Sequence, residues 1–325
     1  LFTVIIAVFT IGTWINRREP TEGDPDHRTP LLQSESPSPE EVDDASGFDA
    51  SKLRSLRNRE YLHSRILARF PFLLEIFYWL LTYWIYQGCR AISARIIAGN
   101  ESIFQKAEHH ALQLLSFEHK LHIDIELSVQ RFVLQKCPWL MNVLAKAYYS
   151  HIILGVMFLV YCYTFFPRDR YQGIRRALAL INILAFTIIS SWRCKPPRLL
   201  PEEYGFIDVL LRRNASSGST WTQNKFQLTI AAMPSIHFGM SVFIAFCVVK
   251  YSPHLILRVL SVFWPFLMGI TVLATANHFV MDGIVGVLVI GVAFWLNRVM
   301  LVLLPVERML FRLLRLEKPR DSPPR

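Results

Sequence analysis

Charge is what this chain has little of. Only 18% of its 325 residues are charged, while 52% are hydrophobic. That balance excludes a water-soluble globule and points to an integral membrane protein. Cysteine is scarce too. Cys89, Cys137, Cys162, Cys194 and Cys247 are scattered through or beside apolar runs, with no C-x-x-C pair. The pattern excludes a secreted disulfide framework and a zinc site. Acids are in deficit, giving a net charge of +10, and residues 20–49 alone carry −8, which leaves +18 elsewhere. Those cations flank apolar runs, so they read as topology signals and phosphate contacts, with no nucleic-acid partner expected.

Residues 17–60 carry Pro20, Pro25, Pro30, Pro37 and Pro39 among Ser, Asp and Glu. Such a segment buries too little apolar area to offset its ordering entropy, so a disordered acidic linker is expected there. Before it, residues 1–16 read as a truncated transmembrane span, since no small-residue cleavage site follows. After it, apolar runs at 70–89, 147–166, 177–192, 236–250, 257–276 and 283–304 suit an all-α, polytopic bundle. The expectation is a six-span catalytic core at 70–304, one extra N-terminal span and a basic tail at 305–325. Leu112, Leu115, Leu121, Ile125 and Val129 recur among charges between residues 98 and 146, as in interfacial or re-entrant helices.

Counted on alternate sides, one face collects Arg168, Arg170, Arg175, Arg176, Lys250, Arg258, Arg308, Arg312 and Arg315. The positive-inside rule assigns that face, with the 17–60 segment and the C-terminus, to the cytosol. The other face collects Arg193, Lys195, Arg198, Arg212, Arg213 and Lys225, and it is expected to face the lumen or exterior.

Three elements on that lumenal face carry chemistry. In residues 259–296 the only ionisable side chains are His278 and Asp282, and an intramembrane ionisable pair is a functional site by default. Helical spacing of four would let Asp282 accept a proton-bearing nitrogen of His278, with Asn277 as a possible cap. Met233-Pro-Ser-Ile-His237 opens another span, with Ser235 as the expected N-cap leaving amide donors near His237. Arg193-Cys-Lys-Pro-Pro-Arg198 sets three cations on a stiff backbone. Together they supply what phosphoryl transfer requires: an attacking group, a proton donor and neutralising cations. Glu118, Glu126, Tyr148 and His151 are discounted as chemistry; Tyr148 and His151, at the start of a span on the site face, could line a substrate pocket, but belt aromatics and interface histidines are commoner.

Pro234-Ser-Ile-His237 followed by Asn277-His-Phe-Val-Met-Asp-Gly283 resembles the second and third signatures of the type 2 phosphatidic acid phosphatase superfamily. Within it the chain looks most like the branch of the inositol phosphorylceramide synthases. Cys194-Lys-Pro-Pro-Arg-Leu-Leu200 with Gly205-Phe-Ile-Asp208 is similar to the loop preceding those signatures there. The resemblance implies a phospholipid or sphingolipid substrate and no metal or cofactor. It implies that His278 attacks phosphorus, Asp282 orients it and His237 protonates the leaving alkoxide. Arg193, Lys195, Arg198 and Ser235 would contact the phosphate. Thr271 and Val272 stand where the phosphatases carry Ser and Arg, and the cation loop is compact. A transferase is therefore the first reading, a lipid phosphate phosphatase the second, and a proton-coupled carrier a third. Whether a small membrane subunit accompanies the chain is not written in these residues.

Overall fold

The computed structural model describes residues 2–18, 62–209 and 230–316. The expected linker lies outside the described residues apart from Arg17 and Arg18, as do Arg212, Arg213, Lys225 and the tail beyond residue 316. Among the described residues the regular elements are helices and none is a strand. In chain order they are α1 (Phe2–Ile15), α2 (Leu62–Arg69), α3 (Phe72–Ile97), α4 (Glu101–Lys120), α5 (Glu126–Lys136), α6 (Pro138–Phe165), α7 (Arg168–Ser191), α8 (Ile236–Tyr251), α9 (Leu255–Ala274), α10 (Val280–Trp295) and α11 (Leu304–Leu313).

The chain divides into two compact units. One comprises residues 9–78 with 302–322. In it Phe9 packs on Phe72 at 6.4 Å between rings, and the Tyr78 hydroxyl donates to Glu307 at 2.5 Å. Pro71 separates α2 from α3, since it cannot donate to the preceding turn. Residues 305–313 of the expected basic tail belong to the amphipathic helix α11.

The other unit holds residues 79–301 and the start of α1. Its α6, α7 and α9 have 28, 24 and 20 residues and are each long and apolar enough to cross a bilayer. The short run at 177–192 reaches that length by extending back to Arg168, and α6 begins at Pro138, where a missing N–H costs nothing. α8 keeps only 16 residues. The run at 283–304, expected as one span, breaks after Trp295 into a 3-10 segment, Asn297–Leu303. The Asn297 amide explains the break: it donates to the Phe294 carbonyl at 2.5 Å and competes with the helix ladder. Residues 98–146 form the non-spanning α4 and α5 before entering α6, as their amphipathic pattern demands.

α8 packs on α6, α9 and α10, while α10 also packs on α7 and α4, and α9 on α5 and α6. Ile256 and Trp295 are 74% and 79% exposed, an exterior that hydrocarbon solvates and water does not. The protein is an integral membrane protein with a polytopic helical bundle. α8 and α10 start at the end where α7 and α9 finish, as the bonds from Ala232 N–H to Cys194 O, Arg198 N–H to Ala276 O and Ser235 N–H to Asp282 O show. Arg170 and Lys250 both lie 5.6 Å from the Tyr251 ring, which places those cations at the opposite end.

Candidate active site

The site is assembled from the starts of α8 and α10 and the loop leaving α7. α8 and α10 approach closely because their contact positions are glycines. A Cβ on Gly286 would sit 2.4 Å from the Ser235 carbonyl oxygen, and one on Gly239 would sit 2.9 Å from the Gly286 carbonyl. The Ser235 N–H donates to the Asp282 carbonyl at 2.8 Å, locking the two helix starts together.

That lock brings His237 to His278, with ring centroids 6.1 Å apart. His278 is 6% exposed, and its Nδ1 lies 2.7 Å from the Ala232 carbonyl. A carbonyl only accepts, so Nδ1 carries the proton and Nε2 presents its lone pair. Asp282 plays a different part from the one its spacing suggested. His278 precedes the first helical residue, Val280, so the helical i, i+4 relation does not apply. The Nδ1–Oδ2 separation is 3.6 Å, too long for a hydrogen bond but close enough for an ion pair. Asp282 Oδ2 instead accepts from the Phe279 N–H at 2.8 Å, capping α10 from within.

Asn277 is not the cap either. Its side chain donates to Thr275 Oγ1 at 2.7 Å and accepts from Arg198 Nε at 2.9 Å. The turn entering His278 is a Schellman closure, with Asn277 N–H on Val272 O and Ala276 N–H on Leu273 O. Ala276 occupies the left-handed position at φ 50°, usually a glycine's place. Ser235 is the N-cap residue of α8, yet its hydroxyl makes no capping bond; it is buried with no partner among the described residues.

The cation loop is held from two sides. The Arg193 carbonyl accepts from His110 Nδ1 at 2.8 Å, the Lys195 N–H donates to Ala107 O at 3.1 Å, and Ala232 N–H donates to Cys194 O at 3.0 Å. Of the three cations, Arg198 is tied to the His278 turn. Its backbone N–H reaches Ala276 O at 2.9 Å, and Nη1 meets Asp208 at 2.6 Å. Arg193 turns to Ser93, with both terminal nitrogens 3.2 Å from Oγ, and Lys195 pairs with Glu108 at 2.5 Å.

Four residues set aside on sequence grounds converge here. Tyr148 stacks on His237 at 4.2 Å, and His151 stands 4.8 Å from it, both from α6. Glu126 Oε1 accepts from Val280 N–H at 2.8 Å, and Glu118 Oε1 from Met281 N–H at 2.7 Å. Three carboxyls thus meet at one helix end, where the sequence showed no such cluster. A signal existed: Glu118 shares a helical stripe with Ala107 and Ala111, and Glu126 shares one with Gln130 and Val133, all buried.

A family model described as the PAP2 superfamily matches residues 112–296, which run from within α4 to the end of α10 and include His151, His237 and His278. The chain belongs to the PAP2 superfamily. Membership makes it an enzyme of the lipid phosphatase and phosphotransferase type, with a lipid substrate met at the bilayer. No curated protein and no solved structure matches it. In this PAP2 member, Thr271 and Val272 are buried structural residues, their carbonyls engaged by Thr275 and Asn277.

Proposed function

We infer that this PAP2 enzyme is a membrane-embedded lipid phosphotransferase that works through a phosphohistidine on His278. The observation that carries the reading is the bond from His278 Nδ1 to the Ala232 carbonyl, which leaves Nε2 nucleophilic with the His237 ring 6.1 Å away. Nε2 attacks phosphorus and the bond to the lipid alkoxide breaks, while His237 protonates the departing oxygen. His237 then takes the proton of an acceptor hydroxyl, whose oxygen attacks the phosphohistidine and frees His278. Asp282, 3.6 Å from Nδ1, stabilises the positive ring of the intermediate. Arg198 supplies the guanidinium that position 272 lacks, and the unpartnered Ser235 hydroxyl gives a donor beside His237.

The compact loop and the residues at 271 and 272 favour an inositol phosphorylceramide synthase-like headgroup transfer, with a phospholipid donor and a sphingolipid alcohol acceptor. By the charge count the site faces the lumen of an endomembrane, Golgi or ER. The test is the purified chain in vesicles holding a phospholipid labelled at the headgroup phosphate and a ceramide. Acid-labile, base-stable label on the protein, absent from His278→Ala, and a headgroup-exchanged lipid are expected. Release of inorganic phosphate from a lipid phosphate with no exchanged lipid would replace the transferase reading by a phosphatase. Turnover by His278→Ala would end the mechanism.

A further inference from the structure

Three consecutive amides open α10, and each is taken by a buried carboxyl from a different place in the chain. Phe279 N–H goes to Asp282, Val280 N–H to Glu126 and Met281 N–H to Glu118. All three acids are 0% exposed. Glu118 closes α4 and Glu126 opens α5, and the link between them is bent back on itself. Leu121 and Ile123 both donate to the Glu118 carbonyl at 3.1 Å, with His122 in the left-handed region at φ 57°. The tight link delivers both side chains to the same helix end.

Each glutamate uses one oxygen on its amide. Its other oxygen, Oε2, is buried with no hydrogen-bond partner among the described residues. Two ionised carboxylates in that position would leave two unsatisfied buried oxygens and a repulsion between like charges. One proton held between the glutamates removes both costs, because the acid donates to its neighbour.

We propose that Glu118 and Glu126 are positioning residues for His278, a proton-sharing carboxyl pair that clamps the start of α10 and with it the 278–282 turn. The proposal rests on the phosphohistidine reading for its activity readout. Because the clamp consumes the amides of 279, 280 and 281, the positive end of α10 holds the turn and leaves the lipid phosphate to Arg198 and Ser235.

The charges around the pair agree. Burial first, then Glu126 and Asp282, push the Glu118 carboxyl up to about 9, against the pull of the Met281 N–H. Burial also raises Glu126, whose other neighbours are the amides it accepts from and Asp124 on the link. The Cys194 thiol, raised by burial and by both Asp282 and Glu118, is neutral beside them. The pair therefore holds one proton at neutral pH. The native state keeps a proton that the unfolded chain releases in the usual carboxylate range. The clamp's stability is thus fully present below that range and is lost as pH rises through about 9.

The experiment compares Glu118→Gln and Glu118→Ala with the wild type, in kcat, KM and melting temperature from pH 6 to 10. Glutamine keeps the carbonyl for Met281 and a donor for Glu126, so turnover at pH 7 should stay within about twofold and the alkaline loss near pH 9 should vanish. Alanine removes the clamp, so kcat should fall about 100-fold with KM little changed, as a misplaced nucleophile dictates. An alkaline limb unchanged in Glu118→Gln, or a glutamine variant as inactive as the alanine one, overturns the shared proton. An alanine variant as active as the wild type overturns the clamp. The melting temperature separates this from the reaction itself. If no phosphoenzyme forms on any lipid phosphate, the phosphohistidine reading fails alone, and the pair stands or falls on whether the wild type's alkaline loss of melting temperature disappears in Glu118→Gln.

Discussion

A single methyl group at Gly286 should separate the imidazoles of His237 and His278. An alanine Cβ there would lie 2.4 Å from the Ser235 carbonyl oxygen, 3.1 Å from its carbon and 3.5 Å from its nitrogen. The obstacle is backbone, not the end of a flexible side chain, so α8 and α10 must part. Reaching even the tightest tolerated contact needs a shift of roughly 0.6 Å, and displacements near 1 Å cost about 100-fold in rate at sites of this kind. The Ser235 N–H to Asp282 bond, 2.8 Å long, stretches with the same movement, and overpacking of this sort costs about 1–3 kcal/mol. Gly291 lies on the same helix with nothing within 4 Å of its added Cβ, which makes Gly291→Ala the matched control. The assay is transfer activity in vesicles together with melting temperature in detergent. Gly286→Ala should lose one to two orders of magnitude in kcat with a lowered melting temperature, and Gly291→Ala should lose neither. A Gly286→Ala protein turning over within about twofold of wild type, at unchanged stability, would refute the claim that backbone contact sets the distance between the imidazoles.

Other perturbations follow from the same geometry. Asp282→Asn keeps an acceptor for the Phe279 N–H but removes the charge 3.6 Å from His278, so the fold should survive while kcat falls about 100-fold, checked by single-turnover phosphoenzyme formation. Arg198→Lys cannot hold Asn277 and Asp208 together, so kcat/KM should drop about tenfold or more in steady-state assays, and Arg198→Ala should do worse. Ala276→Val forces a β-branched residue to φ 50° and should destabilise the protein by about 1–3 kcal/mol in thermal unfolding, whereas Ala276→Gly should be tolerated.

The spans were legible where lipid imposes one rule on every residue, as in α6, α7 and α9, because apolar length alone determines crossing. The same rule did not show the bend within the run at 283–304, since hydropathy does not register one asparagine competing for a helix carbonyl. His237, His278 and Asp282 stood out as ionisable groups in apolar surroundings. The partner of His278 Nδ1 did not, because Ala232 acts through a backbone carbonyl that any residue would carry. Tyr148 and His151 looked like ordinary interface residues, and only the packing of α6 on α8 sets them against His237.

Residue chemistry and periodicity by themselves determined that this is a helical membrane protein with two histidines and an aspartate at one end of its spans. Those properties are local, and each residue carries them wherever the chain goes. Which nitrogen of His278 bears the proton, which cation meets its turn and which acids cap its helix were decided by the tertiary structure. Each depends on backbone groups or side chains brought together from separate segments, and hydrophobicity and charge count leave such meetings unspecified.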